Sequence, residues 1–269
     1  KIIMIKLLIP LLLPLFLSSC KKTATTPEQP SMLPTTHDAD SLRKTLYEQC
    51  KMNHKPLNYR QLWTALKIID GEGDSVRLIY SQELRSKSLN GGRKGDWNRE
   101  HVWAKSYGID KSGADFTDLY NIFACDMQIN SRRGNKCFDN ETDKDSWEPP
   151  ENMKDDIARA MFYMAIRYEG NEPNTEDLIL NDEPNSDRAD FGNLSTLLKW
   201  HKSDPIDARE LERANRVEQI QGNHNPFLDD PEYAEIIFGK KVIKKIIFLQ
   251  FTFFFFDCVV NLSPQVCWS

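Results

Sequence analysis

Between Trp97 and Trp103 the chain reads Trp-Asn-Arg-Glu-His-Val-Trp, and this run restricts the fold more than any other part of the sequence. Core strands seldom carry three ionisable residues in a row, and exposed loops seldom carry two indoles so close together. A segment with both must lie where a buried face ends and polar partners are available for Arg99, Glu100 and His101. Three settings meet that demand: a surface accident, a buried ion-pair network, or the floor of a catalytic site.

The residues that follow narrow the choice. "DLYNIFACD" is strand-like, and Asp126 can cap a short helix from Met127 to Arg133 that Gly134 ends. On that helix Asn130 and Arg133 are three apart and share a face. Two polar pairs, Glu100 with His101 and Asn130 with Arg133, are thus each backed by apolar neighbours. A strand, a second strand and a short helix bring them together. One geometric condition applies. Neighbours in a regular strand point to opposite faces, so the strand is expected to end or bulge at Glu100-His101, turning both side chains toward the helix.

The ends of the chain stand apart from this centre. "KIIMIKLLIPLLLPLFLSSC" has a basic start, an apolar run from Leu7 to Leu17 and small residues, the layout of a secretory signal over residues 1–19. The chain begins at Lys1 rather than at a methionine, so one or more residues are expected to precede it. "LSSC" fits a bacterial lipobox with Cys20 as the lipidated residue, against an ordinary signal cleaved nearby. Residues 20–38, rich in Thr and Pro, read as a flexible tether. Residues 39–239 are the expected globular domain. Residues 240–269 are foreign to the rest in composition. Their apolar run from Ile246 to Val260 is broken by Gln250, Thr252 and Asp257 and is short for a membrane span. It reads either as an appended β-rich or interfacial segment or as a misread gene boundary, and no function is assigned to it.

Within the domain the pattern is mostly helical. "LNYRQLWTALKIID" places Leu62, Leu66 and Ile69 on one face with Trp63 beside it. "DDIARAMFYMAIRYEG" repeats apolar residues at Ile157, Met161, Met164, Ala165 and Tyr168 and stops at Gly170. "NLSTLLKWHKS" and "DPIDARELERANRVEQIQG" predict two more helices, the second with Asp204 as N-cap and Pro205 in its first turn. "VRLIYS" is a short β-like run, and the segment from Gly73 to Trp103 reads as strands joined by glycine-bearing loops. The expected fold is α+β: a mainly helical single domain around a small β element.

Charge and cysteines exclude some classes. The formal net charge is −5, which argues against nucleic-acid binding by bulk electrostatics. Removing residues 1–19 takes away Lys1 and Lys6, leaving 33 basic against 40 acidic residues, or −7. From Arg93 to Lys136, however, eight basic residues face six acidic ones, which suits a basic cleft in an acidic body and salt-sensitive binding. No Cys-x-x-Cys pair exists, so a structural zinc site is not expected. Export permits disulfides, and one between Cys125 and Cys137 is conceivable; an odd count beyond Cys20 leaves at least one free thiol.

"NREHVWAKSYG" followed by "TDLYNIFACDMQINSRRGNKCF" resembles the bacterial endonuclease I family, secreted nucleases with a ββα-metal (His-Me finger) site. "LNYRQLWTALKIIDGEGDSVRLIYS" resembles the family's N-terminal part, and "WEPPENMKDDIARAMFYMAIRY", "LLKWHKSDPIDARELERANRV" and "QGNHNPFLDDPEY" its helical remainder. Coverage runs from about Tyr59 to Phe238.

The resemblance implies a general base at His101 and metal ligands at Glu100 and Asn130, with Mg²⁺ as cofactor and Mn²⁺ or Ca²⁺ as substitutes. Imidazole suits the first role, and a hard cation suits a carboxylate and an amide oxygen. Arg133 matches a scissile phosphate as a guanidinium fork, with Arg132 and Arg99 as alternatives. Arg132, Lys105, Arg93 and Lys136 are further candidates for nucleic-acid contact. No recognition helix is evident, so cleavage of DNA, and of RNA, is expected to be largely sequence-independent. The expected product is an exported monomer, held at the membrane through Cys20 or secreted. The rival reading is a surface lipoprotein that binds nucleic acid without turnover. The sequence departs from the family pattern at Ala104, where proline is usual, at Tyr120-Asn121, where a histidine-bearing pair is frequent, and at His224, where arginine is usual. The other histidines, His37, His54, His201 and His224, and the indoles Trp97 and Trp103 read as surface or core residues.

Overall fold

The computed structural model describes residues 36–183, 187–203 and 205–239. The expected signal, Cys20, the expected tether through residue 35 and the tail from 240 onward lie outside the described residues, as do Cys258 and Cys267. Helix α1 (Thr36–Lys51) begins three residues before the expected domain start, and α2 (Leu62–Ile69) buries Leu62, Ala65, Leu66 and Ile69, the face its spacing predicts. Among the described residues no helix is long and apolar enough to cross a membrane.

The helix α4 (Lys154–Arg167) is the centre of the body. Its apolar spacing predicts one buried stripe, yet all 14 of its residues are buried, because α1 and α5 (Leu194–Ser203) pack on it from different sides. Charged residues survive there only as pairs, since an unpaired buried charge is costly. Arg159 bonds Asp155 and Glu210, and Arg167 reaches Glu172 at 2.6 Å.

Helix α6 (Ala208–Gln221) starts later than the sequence suggests. Its N-cap is Asp207, which accepts from the Glu210 amide at 2.7 Å; Pro205 precedes the helix, and Asp204 lies outside the described residues. Asp207 wins because its side chain, three residues before Glu210, satisfies an amide that would otherwise be unpaired. The helix then sends arginines into carbonyl-rich ends elsewhere. Arg216 donates to the Ile68 and Gly71 carbonyls at 3.1 and 3.0 Å, and Arg213 to Asp70 and the Ile122 carbonyl at 2.8 and 2.7 Å. Just beyond it Gly222 (φ +92) passes so close to the Asn53 carbonyl that a Cβ would lie 2.5 Å from that oxygen.

The β structure is small and split. β1 (Gly71–Glu72), β2 (Ser75–Arg77) and β3 (Leu84–Ser86) form an antiparallel meander. β4 (Trp97–His101) pairs antiparallel with β5 (Ile122–Asp126), from Trp97 opposite Asp126 to His101 opposite Ile122. β6 (Cys137–Phe138) with β7 (Ser146–Trp147), and β8 (Ile179–Leu180) with β9 (Asp190–Phe191), are short parallel pairs. In "VRLIYS" only the first part is strand. Leu78 and Ile79 leave the meander, and the Ile79 amide instead donates to the Ala124 carbonyl of β5 at 2.9 Å. Trp97 and Trp103 are fully buried. At ~150–250 Å² each, they contribute about 4–6 kcal/mol apiece by area, an upper bound. Cys125 and Cys137 are both buried free thiols, so the conceivable disulfide between them is absent.

Candidate active site

Helix α3 (Met127–Arg133) follows β5 directly and packs on β4. Asp126 caps it, accepting from the Gln128 and Ile129 amides at 2.8 and 2.9 Å while its other oxygen takes Arg85. Gly134 ends it at φ +61. Both boundaries are those the sequence predicts.

β4 stays a regular strand to its last residue. It ends at His101 as expected, but no bulge intervenes, and Glu100 and His101 take different neighbours. Asn98 and Glu100 face α3. The Asn130 amide nitrogen donates to Asn98 Oδ1 at 2.8 Å and to the Arg99 carbonyl at 3.2 Å. Arg133, only 1% exposed, donates to Glu100 Oε1 at 3.0 Å and to the His101 and Val102 carbonyls at 2.9 and 2.7 Å. Arg99 and His101 instead meet Tyr59, before α2, with Trp63 of α2 on the Arg99 guanidinium and Phe116 beside the His101 ring. The Arg99 guanidinium lies 3.6 Å from the Tyr59 ring centre and 4.0 Å from that of Trp63, and donates to the Tyr59 carbonyl at 2.7 Å. The alternation of a pleated strand therefore persists, and the expected turning of both side chains toward the helix does not occur.

Glu100 is buried and paired. The Tyr80 hydroxyl donates to the same Oε1 that Arg133 holds, at 2.8 Å. Oε2 takes no hydrogen bond from a described residue. Burial raises the Glu100 carboxyl, opposed by the Arg133 charge. The amide nitrogen of Asn130 is spent on β4, which leaves its Oδ1 as the free polar atom. An unencumbered carboxylate oxygen and an amide oxygen are hard donors, so this face of β4 fits a magnesium-like cation.

His101 is also buried. Its ring lies 5.3 Å from Phe116 and 6.3 Å from Tyr59, centre to centre, and Nε2 is 3.1 Å from the Phe116 carbonyl. A carbonyl can only accept, which assigns the proton to Nε2 and leaves the lone pair on Nδ1. Burial, reinforced by Lys105, pushes the imidazole down to about 3, so the ring is neutral throughout the working range. The carbonyl that fixes it belongs to a 3-10 turn, Ala114–Thr117. In that turn Asp115 is fully buried, and neither carboxylate oxygen has a hydrogen-bond partner among the described residues. Burial pushes Asp115 up to about 7.

The remaining candidates lie on the rim. Lys105 is exposed, its Nζ 5.9 Å from the Phe116 ring centre. Arg132 and Arg93 are exposed, whereas Lys136 donates to the Asp143 carbonyl at 2.6 Å. None of Arg93, Arg132 and Lys136 contacts Glu100, His101 or Asn130. The departures from the family pattern are absorbed structurally. Asn121 Oδ1 accepts from the Trp103 amide at 2.6 Å, the Tyr120 hydroxyl donates to the Asn223 carbonyl at 3.2 Å, and His224 meets Asp229 at 2.9 Å. His54 and His201 are held by Arg167 and Arg159; the side chain of His37 lies outside the described residues. A second carboxylate group, Asp155, Asp156 and Glu210, has its oxygens within 4.8 Å of one another, but Arg159 pairs with all three.

Sequence reasoning missed three participants. Asn98 could have been found, since it sits two residues before Glu100 on the same strand face. Tyr80 and the Phe116 carbonyl carry no local signal: one is an ordinary apolar position, and the other is main chain.

A family model described as Endonuclease I matches residues 38–147 and 135–232. An extracellular ribonuclease of Bacillus subtilis (strain 168) is 45% identical over 215 residues, 74% of this chain and 74% of that protein. An extracellular ribonuclease of Bacillus amyloliquefaciens is 46% identical over 201 residues, 68% of this chain and 69% of that protein.

Proposed function

The chain belongs to the endonuclease I family, and on that premise we propose that it is an exported, metal-dependent endonuclease that cleaves DNA, and RNA as well, with little sequence preference. Membership makes it a nuclease, a phosphodiester hydrolase. The family is metal-dependent in general, and Mg²⁺ is the proposed ion. Export agrees with the two Bacillus relatives, both named extracellular; attachment through a lipidated Cys20 belongs to the same reading.

One observation carries it: the hydrogen bond from His101 Nε2 to the Phe116 carbonyl, which leaves Nδ1 as the one proton acceptor of a neutral ring. His101 takes the proton of the attacking water at Nδ1, the negative charge of the bound phosphate raising a base that burial holds low in the free protein. Glu100 through Oε2 and Asn130 through Oδ1 would hold the cation, forming with β4, β5 and α3 a ββα-metal site of the His-Me finger type. When bound, that cation supplies a Lewis acid for phosphate oxygens. Arg99, clamped between two rings on the His101 face and without a carboxylate partner among the described residues, binds the phosphate. Arg133 acts from behind, holding Glu100 and the end of β4. Lys105, Arg93, Arg132 and Lys136 attract the backbone rather than read bases.

The test is incubation of plasmid DNA and of a structured RNA with the protein and with His101→Ala. Wild type should cleave both substrates, and EDTA should stop it. The variant should lose a factor of ~10²–10⁴ in kcat while folding normally. Cleavage in excess EDTA, or near-full activity of a folded His101→Ala protein, overturns the assignment.

A further inference from the structure

We propose that Tyr80 is the positioning residue that keeps Glu100 available as a metal ligand, by holding one carboxylate oxygen so that the other stays free. The inference rests on Glu100 being such a ligand.

Two donors converge on one atom. Tyr80 Oη and Arg133 Nη1 reach Glu100 Oε1 at 2.8 and 3.0 Å, while Oε2 takes no hydrogen bond from a described residue. Arginine prefers to meet a carboxylate as a fork, with two parallel bonds to both oxygens. The last torsion of a glutamate is soft, so nothing within Glu100 itself opposes that rotation. The His101 and Val102 carbonyls that hold Arg133 Nη1 and Nη2 oppose it from the arginine side, and the Tyr80 hydroxyl opposes it from the carboxylate side. Rotating the carboxylate to chelate Arg133 would strip the phenol of its buried acceptor. The ring cannot follow, because Tyr80 is fixed on three sides. The preceding amide, that of Ile79, is bonded to the Ala124 carbonyl of β5 at 2.9 Å. Trp147 meets the ring edge-on at 5.5 Å, and Phe138 lies at 6.5 Å. The segment that leaves the β1–β3 meander after Arg77 thus delivers a hydroxyl to the far side of the candidate metal ligand.

Manganese serves as the probe, since the free aqueous ion is counted directly by its paramagnetic resonance. Tyr80→Phe, Glu100→Gln and Trp147→Phe are compared with wild type for Mn²⁺ affinity without substrate, for thermal unfolding in EDTA, and for kcat against metal concentration. Tyr80→Phe should bind Mn²⁺ about 10–100-fold more weakly and regain most of its kcat at high metal. Trp147→Phe, which alters the packing but keeps the hydroxyl, should bind Mn²⁺ within twofold of wild type. A role confined to packing would instead lower the unfolding temperature and kcat while leaving Mn²⁺ affinity in place. The inference fails if Tyr80→Phe binds Mn²⁺ within twofold of wild type while Glu100→Gln does not bind it. It fails equally if Trp147→Phe loses as much affinity as Tyr80→Phe. If Glu100→Gln itself binds Mn²⁺ as wild type does, the assignment of Glu100 is what falls.

Discussion

Replacing Arg133 separates two roles that a nuclease arginine can play. A phosphate ligand faces solvent and contributes to substrate affinity. A strut faces inward and contributes to stability. Arg133 is 1% exposed, and its guanidinium serves Glu100 and two main-chain carbonyls, with the Phe138 ring 4.6 Å below it. Arg133→Met keeps the apolar stem and removes all three bonds. Glu100 then loses its only cationic partner at hydrogen-bond distance among the described residues, and breaking a buried pair from one side costs about 3–5 kcal/mol. In a domain of this size that lowers the unfolding midpoint by roughly 10 °C. Arg133→Lys should lose nearly as much, because an ammonium cannot span three acceptors held in a fork. Adding Glu100→Gln to Arg133→Met should recover a large part of the loss, since the uncompensated charge is then gone. Thermal and urea unfolding of the two single variants and the double variant measures each quantity. If Arg133→Met is destabilised by less than about 1 kcal/mol and its defect appears instead as a raised KM with a shallower salt dependence, Arg133 is the phosphate ligand and the strut assignment is wrong.

Arg99→Ala should behave in the opposite way, raising KM for DNA several-fold and flattening the salt dependence while unfolding within about 1 kcal/mol of wild type; a fall in stability with unchanged KM would show the aromatic clamp to be structural only. Asp115 gives a pH signature. Its folded carboxyl is raised from an ordinary 3.8 to about 7, so the native state binds the proton more tightly and stability declines as pH rises between those values, by up to ~4 kcal/mol. Asp115→Asn should therefore match wild type near pH 4 and exceed it at pH 8.5, and parallel unfolding curves from pH 4 to 9 would count against the shift. Asp126→Ala should cost about 1–2 kcal/mol through the lost α3 cap, with a fall in Mg²⁺ affinity because Asn130 rides on that helix; unchanged helix stability by urea titration would contradict it.

The parts of the fold that were legible in the sequence are those with local causes. The limits of α3 follow from Asp126 and Gly134, and the buried face of α2 follows from Leu62, Leu66 and Ile69. The same rules misled where two local signals competed. Asp204-Pro205 looks like a helix start, but Asp207 supplies the cap bond to Glu210. Periodicity in α4 marks which positions are apolar and is silent about how many elements surround them, so the burial of its polar face could not be read. At the site, strand alternation correctly gives Glu100 and His101 different hydrogen-bond partners, Arg133 and the Phe116 carbonyl. Of the two expected remedies, a strand end or a bulge, the structure uses the end: β4 stops at His101, and the Lys105 and Arg133 charges act on both residues. Tyr80 and the Phe116 carbonyl were illegible because each acts across 15 or more residues through one bond, and no spacing encodes that.

The arginines and amides near the end of the domain also set an order of dependence along the chain. A polypeptide cut just before Arg213 retains every candidate catalytic group from Glu100 to Arg133. It lacks, however, the donors that occupy the Ile122 and Gly71 carbonyls, the Gln221 side chain that takes the Leu119 amide at 2.6 Å, and the Asn223 amide that closes on the Cys50 carbonyl at 2.6 Å. Ile122 is the residue opposite His101 in the hairpin, so the partner strand of the proposed base is anchored by a segment that is synthesised roughly 90 residues later. Such closures are slow compared with local helix formation. A nascent chain of that length therefore carries the candidate hydrolytic residues without this framework, and nuclease activity is expected only once nearly the whole domain has been delivered.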